Sequence, residues 1–180
     1  MRRRRAGITL VEAVAAVCVT GILLAVFVPA FLRELRTSKT SEASNNLALL
    51  YQRSAAYFAQ QRTGGEGGTR CLPDGAGPAP RDPTIELSRV DFTAQSTPGS
   101  PTWRALGFAP RPLARYAYTF EPASAGCGLR SPEGTFLLTL RAEGDLDGDG
   151  ERSIFERRAA ATEEGELVPF DILYVRDRME

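Results

Sequence analysis

The chain has 180 residues, 22 basic and 22 acidic side chains, three cysteines and no histidine. That length allows one globular domain besides any anchor. A balanced charge supplies no basic field for sequence-independent nucleic-acid binding, and the lack of histidine removes the commonest general base and metal ligand. With Arg2–Arg5 set aside, 18 basic side chains face 22 acidic ones, a balance of −4.

Those four arginines stand directly before the stretch Gly7–Leu32. From Ile8 to Leu32 it carries a single charge, Glu12. A helix needs roughly 20 mostly apolar residues to cross a bilayer, so this run is long enough. A carboxylate inside such a span costs roughly 2–4 kcal/mol even on lenient insertion scales. Glu12 therefore needs a cationic partner, and its own segment offers none. Cleavage after Gly7 would create an amine at Ile8, at the same depth. In staggered parallel helices, that amine can neutralise Glu12 of the adjacent copy. Three plainer readings compete: a secretory signal peptide, a lipoprotein site at Cys18, and an ordinary single-pass anchor. The anchor explains the apolar run but leaves Glu12 unpaired. Cys18 reads as a lipid-facing or packing thiol. Gly21 lowers helix propensity, and Pro29 frees the carbonyl of Ala25.

Beyond the span the helix is expected to continue. Ala43, Leu47, Leu50, Ser54, Tyr57 and Phe58 recur at three- and four-residue steps, which is one face of an amphipathic helix. A helix from about Ile8 to about Gln61 would be ~80 Å long at about 1.5 Å per residue. The glycines at 64–65 and 67–68 end it. Thr63–Pro83, rich in Gly and Pro, reads as a long surface loop. Ile85–Gly107 reads as short extended pieces or a helical turn, anchored by Trp103, Leu106 and Phe108. Four strand-like runs follow: Tyr116–Phe120, Thr135–Arg141, Ser153–Arg158 and Pro169–Val175. Turn-forming stretches at Pro122–Gly128, Gly144–Gly150 and Thr162–Gly165 separate them, which argues for an antiparallel sheet. The apolar stripe of the long helix would cover one face. The fold class is therefore α+β, a long N-terminal helix packed on a small antiparallel sheet. Cys71 and Cys127 lie where an oxidising compartment is expected and point to one disulfide, against the alternative of two free thiols.

The basic leader, Gly7, an apolar residue with Thr, Leu and Glu12 following, and a long apolar run resemble the class III signal of type IV pilins and pseudopilins. The resemblance implies cleavage between Gly7 and Ile8 by a membrane prepilin peptidase, with N-methylation of Ile8. The chain departs from the family's usual Phe at Ile8. The resemblance also implies a division into leader (1–7), transmembrane and assembly half of the helix (8–32), amphipathic half (33–62) and globular head (63–180). Gly and Pro at positions like Gly21 and Pro29 imply, in that family, a segment able to unwind in the filament; a simple kink is the alternative.

Gly144–Glu156 reads G-D-L-D-G-D-G-E-R-S-I-F-E. It fits the calcium-loop pattern D-x-D-x-D-G-x5-E. Asp145, Asp147 and Asp149 are the expected side-chain ligands, Glu151 a carbonyl, Ser153 a hydroxyl or bridging water, and Glu156 a carboxylate. Strands rather than helices are expected to flank the loop, so it is not read as an EF-hand. A merely solvated acidic hairpin is the alternative. Similar loops occur in some pilins, and the family's major type II secretion pseudopilin binds calcium in its C-terminal region.

No phosphate-binding glycine loop with lysine and no nucleophile elbow is present, so no catalytic activity is expected. The resemblance implies a subunit of a type IV pilus, serving adhesion, twitching motility or DNA uptake. Its partners would be other pilin-like subunits in a homo- or hetero-polymer, the prepilin peptidase and an inner-membrane assembly platform. It would pass from the inner membrane to an extracellular pilus. A pseudopilin in a periplasmic pseudopilus is the second reading, and a membrane-anchored calcium-binding domain that never polymerises is the third.

Overall fold

A computed structural model describes residues 9–60, 62–63, 69–111, 113–129, 135–170 and 173–176, with the side chains of 32–38 and 62–63 excepted. The chain divides into two compact units, Met1–Ser38 and Lys39–Glu180.

Helix α1 spans Leu10–Gln60, close to the limits that the periodicity predicts. In the first unit its residues Leu10–Phe31 are apolar enough and long enough to cross a membrane, and none of that stretch is buried. Leu10 is 82% exposed and Phe27 64%, so these side chains have no core of their own to enter. Gly21 and Pro29 both lie within continuous helix.

In the second unit the periodic face of α1 turns inward. Ala43, Leu47, Leu50, Ser54 and Phe58 are buried, and Tyr57 is half-buried. The Ser54 hydroxyl donates to the Leu50 carbonyl at 2.7 Å, which satisfies that polar side chain within the buried face.

After α1 come β1 (Arg62–Thr63), β2 (Thr69–Leu72), β3 (Ala76–Ala79) and β4 (Ser88–Arg89). Then follow α2 (Ser100–Leu106), β5 (Leu113–Ala114), β6 (Ala117–Pro122), β7 (Gly126–Cys127), β8 (Leu138–Gly144), β9 (Ser153–Ala161), β10 (Leu167–Pro169) and β11 (Tyr174–Arg176). The main sheet has the order β10-β9-β8-β6-β3, with β11 also paired to β9, and its pairings are antiparallel. The α+β reading is therefore the observed fold.

Strand alternation gives the sheet two unlike faces. Leu138, Leu140 and Ala142 of β8 are buried, as are Phe155 and Ala159 of β9 and Tyr118 and Phe120 of β6. The intervening positions carry Glu121, Arg141, Glu143 and Arg158, together with a buried Glu156. Trp103 on α2 packs with Phe92 and Phe108, ring centroids 5.5 and 5.3 Å away, and those two rings in turn meet Tyr118 at 6.2 and 5.8 Å. That is the anchoring role the sequence assigns to Trp103, and its indole N–H donates to the Pro98 carbonyl at 2.8 Å.

Two expectations need correction. Thr63–Pro83 is not simply a loop: it contains β2 and β3, and Ala76 and Ala79 are buried. Proline is compatible with β3 because the strand lies at the sheet edge, where one row of backbone groups has no ladder partner. Gly99 packs so closely on β3 that a Cβ there would run into Ala76, and its φ is 75°. The run Pro169–Val175 is not one strand either. It divides into the end of β10 and the start of β11, which pair with different halves of β9.

Cys71 and Cys127 stand opposite each other in the β2–β7 pairing and are joined in a disulfide. Cys18 is free and exposed.

Candidate functional site

Two constellations carry chemistry, and each lies wholly within one unit. The first is the mouth of α1. Gly7 and Ile8 lie outside the described residues, so the site begins at Thr9. The backbone N–H of Thr9 donates to Glu12 Oε2 at 2.8 Å, and the Thr9 hydroxyl donates to the same oxygen at 2.8 Å. The Glu12 amide lies 3.3 Å from Thr9 Oγ1. Thr9 and Glu12 thus form a capping box, T-x-x-E, which satisfies donors that the first helical turn leaves without partners. The sequence reading holds that the segment offers Glu12 no cation, and none of the described residues of the span is cationic. The segment does offer hydrogen-bond donors, and the reading missed them. The signal was the Thr–x–x–Glu spacing at the start of an apolar run.

The second constellation is the loop between β8 and β9. Carboxylate oxygens of Asp145, Asp147 and Asp149 all lie within 4.8 Å of one another. Backbone amides organise them: Gly148 N donates to Asp145 Oδ1 at 2.6 Å, Gly150 N to Asp145 Oδ2 at 3.2 Å, and Glu151 N to Asp149 Oδ1 at 2.7 Å. The base of the loop is tied down by buried Leu146, whose carbonyl accepts from Lys39 Nζ at 3.5 Å. Three converging hard oxygen donors fit the chemistry of a calcium or magnesium ion.

Glu156 does not join them. Its position in β9 pairs it with Arg141 of β8. Oε2 lies 3.2 Å from Arg141, and Oε1 lies 2.6 Å from Arg158. Both oxygens are engaged, and the side chain is 8% exposed. Ser153 is also turned inward: it is buried, and its hydroxyl donates to the Gly144 carbonyl at 3.1 Å. The continuous text pattern therefore separates in space into a three-aspartate cluster and a strand-bound glutamate. The reason is the onset of β9 at Ser153, where strand pairing sends alternate side chains to opposite faces. Glu151 is exposed, and its amide is already directed at Asp149.

Arg141 also approaches Glu121 and Glu143, at 3.8 and 3.7 Å, and Arg152 bridges Glu143 and Asp82 at 3.1 and 3.7 Å. These ion pairs run along the polar face of the sheet up to the acidic loop.

No protein-family model and no solved structure matches the chain. The chain is similar to the type IV major pilin protein PilA of Myxococcus xanthus (strain DK1622), with 27% identity over 128 residues. The similarity covers 71% of this chain and 42% of that protein, so the chain spans less than half the length of the relative it matches. The exposed apolar helix and the antiparallel head thus stand beside a distant similarity to a type IV major pilin.

Proposed function

We propose that the chain is a structural subunit of a type IV pilus-like filament and has no catalytic activity. In this reading a prepilin peptidase cuts between Gly7 and Ile8, and the Ile8 amine is methylated. The subunit waits as a single-pass protein of the inner membrane and is added to a polymer of pilin-like subunits by a membrane assembly platform. The Ile8 amine of one copy then neutralises Glu12 of the next. The observation that carries the proposal is the exposed apolar stretch Leu10–Phe31 with one carboxylate in its first turn. A charge at that position is costly in lipid unless it is partnered, and assembly supplies a partner.

The experiment has two parts. Mass spectrometry of the mature chain is expected to find Ile8 at the amino terminus. Glu12→Ala is expected to be processed yet absent from sheared filaments. A terminus elsewhere, or normal polymers from Glu12→Ala, would overturn the filament reading in favour of a plain anchor. The type II secretion reading shares this chemistry. Recovery in sheared surface filaments separates a pilus from a periplasmic pseudopilus.

We further propose that Asp145, Asp147 and Asp149 bind calcium. The support is their oxygens' convergence to within 4.8 Å, with the loop amides holding them in place.

A further inference from the structure

We infer that Thr9 is a positioning residue for assembly: it pins one oxygen of Glu12 to the mouth of α1 and leaves the other to accept an ammonium group from a second copy of this chain. This rests on the filament reading above. The two hydrogen bonds that Glu12 receives from Thr9 converge on Oε2, one from the amide and one from the hydroxyl, each at 2.8 Å. Among the described residues no hydrogen bond reaches Oε1. A free glutamate on an exposed helix samples several rotamers and would have to be ordered when the partner arrives. The capping box does that ordering within the subunit before any contact is made. A carboxylate has about four lone-pair sites, so an oxygen held by two donors does not prevent its twin from taking a third.

The arrangement also changes the driving force for assembly. Glu12 in the single subunit is not a bare charge, because two donors already solvate it. The neighbour's ammonium then adds a charge-assisted bond to a carboxylate already aimed, rather than rescuing an unsatisfied one. In this arrangement Thr9 acts through Glu12.

The test uses the full chain in cells that process it, with filament yield divided by the amount of correctly cut subunit. Thr9→Val keeps the shape and the amide but removes the hydroxyl. It is expected to reduce normalised yield about tenfold, the effect of one hydrogen bond to a charged group. Thr9→Ser restores the hydroxyl and is expected to assemble within about twofold of the native chain, a factor well below the effect of one such bond. A purely structural cap predicts something else: Thr9→Asn, a good cap without a hydroxyl, would assemble normally. Native yield from Thr9→Val or from Thr9→Asn overturns the inference. So does Thr9→Ser falling as far as Thr9→Val, or Thr9→Val not being cut at all, since the hydroxyl would then serve the peptidase. In each of these cases the filament reading stands as long as Glu12→Ala is cut at Ile8 and fails to polymerise.

Discussion

The side-chain amide of Asn46 donates to the Tyr118 hydroxyl at 2.7 Å, joining α1 to β6 inside the head. Tyr118 is fully buried, and its hydroxyl in turn lies 3.4 Å from Glu42 Oε1. The same Glu42 oxygen accepts the Arg115 amide at 2.9 Å, and the Arg115 guanidinium lies 3.5 Å from Oε2. Two helix residues one turn apart thus fix the helix against the sheet through polar contacts, where apolar packing alone would allow sliding. Glu42→Ala is expected to destabilise the head by roughly 2 kcal/mol, because it leaves the Arg115 amide and the Tyr118 hydroxyl short of an acceptor. Glu42→Gln should recover part of that loss. Denaturant midpoints of the detergent-solubilised chain measure both, and equal stability of Glu42→Ala and the native chain would show that the network is dispensable.

The same region sets the alkaline limit of the head. Burial pushes the Tyr116 phenol up to about 12. Burial first, and then the Glu42 charge, raise Tyr118 well above the ordinary tyrosine value. A phenol with a raised value in the folded state keeps its proton after the unfolded chain has lost it. The stability it contributes is therefore intact below about pH 10 and is lost as the pH climbs from there through the folded value. Thermal midpoints should be flat from pH 7 to about 10 on this account and then fall. Tyr116→Phe, which cannot ionise, should make that fall shallower.

Gly144 closes β8 beneath Tyr116. A Cβ at that position would stand 2.5 Å from Cε1 and 2.7 Å from Cδ1 of the Tyr116 ring. The ring is buried and edge-on to Phe155, centroids 5.6 Å apart, so it has little room to retreat. Gly144→Ala is expected to lower stability by about 1–3 kcal/mol through overpacking. Gly107→Ala is a useful contrast, since nothing lies within 4 Å of a Cβ there and only its φ of 63° opposes the change. Calorimetry of the two variants separates crowding from backbone strain.

Much of this architecture was legible because it rests on periodicity. The stripe from Ala43 to Phe58 faces the core because residues three and four apart share a helix face. Tyr118 and Phe120 alternate inward for the equivalent reason in a strand. What the sequence hid depends on pairing across the chain. Ala76–Ala79 has none of the branched or aromatic residues that mark strands, and it joins the sheet through pairing with Tyr118 and Phe120. Glu156 fits a calcium-loop pattern in one dimension, yet its register opposite Arg141 decides its partners. The Thr9–Glu12 box was written plainly in the sequence. In so apolar a run the lone charge of Glu12 outweighs the capping pattern that holds it.

The disulfide joins residues 56 apart, across the small β1-β2-β7 sheet. Closing a loop of that length restricts the unfolded chain and is worth about 4 kcal/mol in the chain-entropy account. Cys71→Ser with Cys127→Ser is expected to lower the unfolding midpoint of the head accordingly. The fold should survive, because both cysteines lie outside the hydrophobic core of the main sheet. Non-reducing peptide mapping of the native chain should recover Cys71 linked to Cys127, and Cys18 as a free thiol. A Cys18-containing disulfide within one subunit would contradict the pairing.

The acidic loop yields a prediction that separates its two halves. If Asp145, Asp147 and Asp149 hold calcium, the ion binds the folded loop and raises the melting midpoint of the purified chain over that in chelator. Asp147→Asn should remove most of that rise, since Asp147 is exposed and its change disturbs no core contact. Glu156→Gln should behave in the opposite manner. It weakens the pairs with Arg141 and Arg158, and so lowers stability by about 1–3 kcal/mol with or without the ion. Its calcium-dependent increment should stay close to the native value, because both Glu156 oxygens are held by arginines rather than turned toward the aspartates. A Glu156→Gln chain that loses the calcium increment would mean that the ion draws Glu156 away from its arginines, and that the loop closes on its ligand as the linear pattern reads.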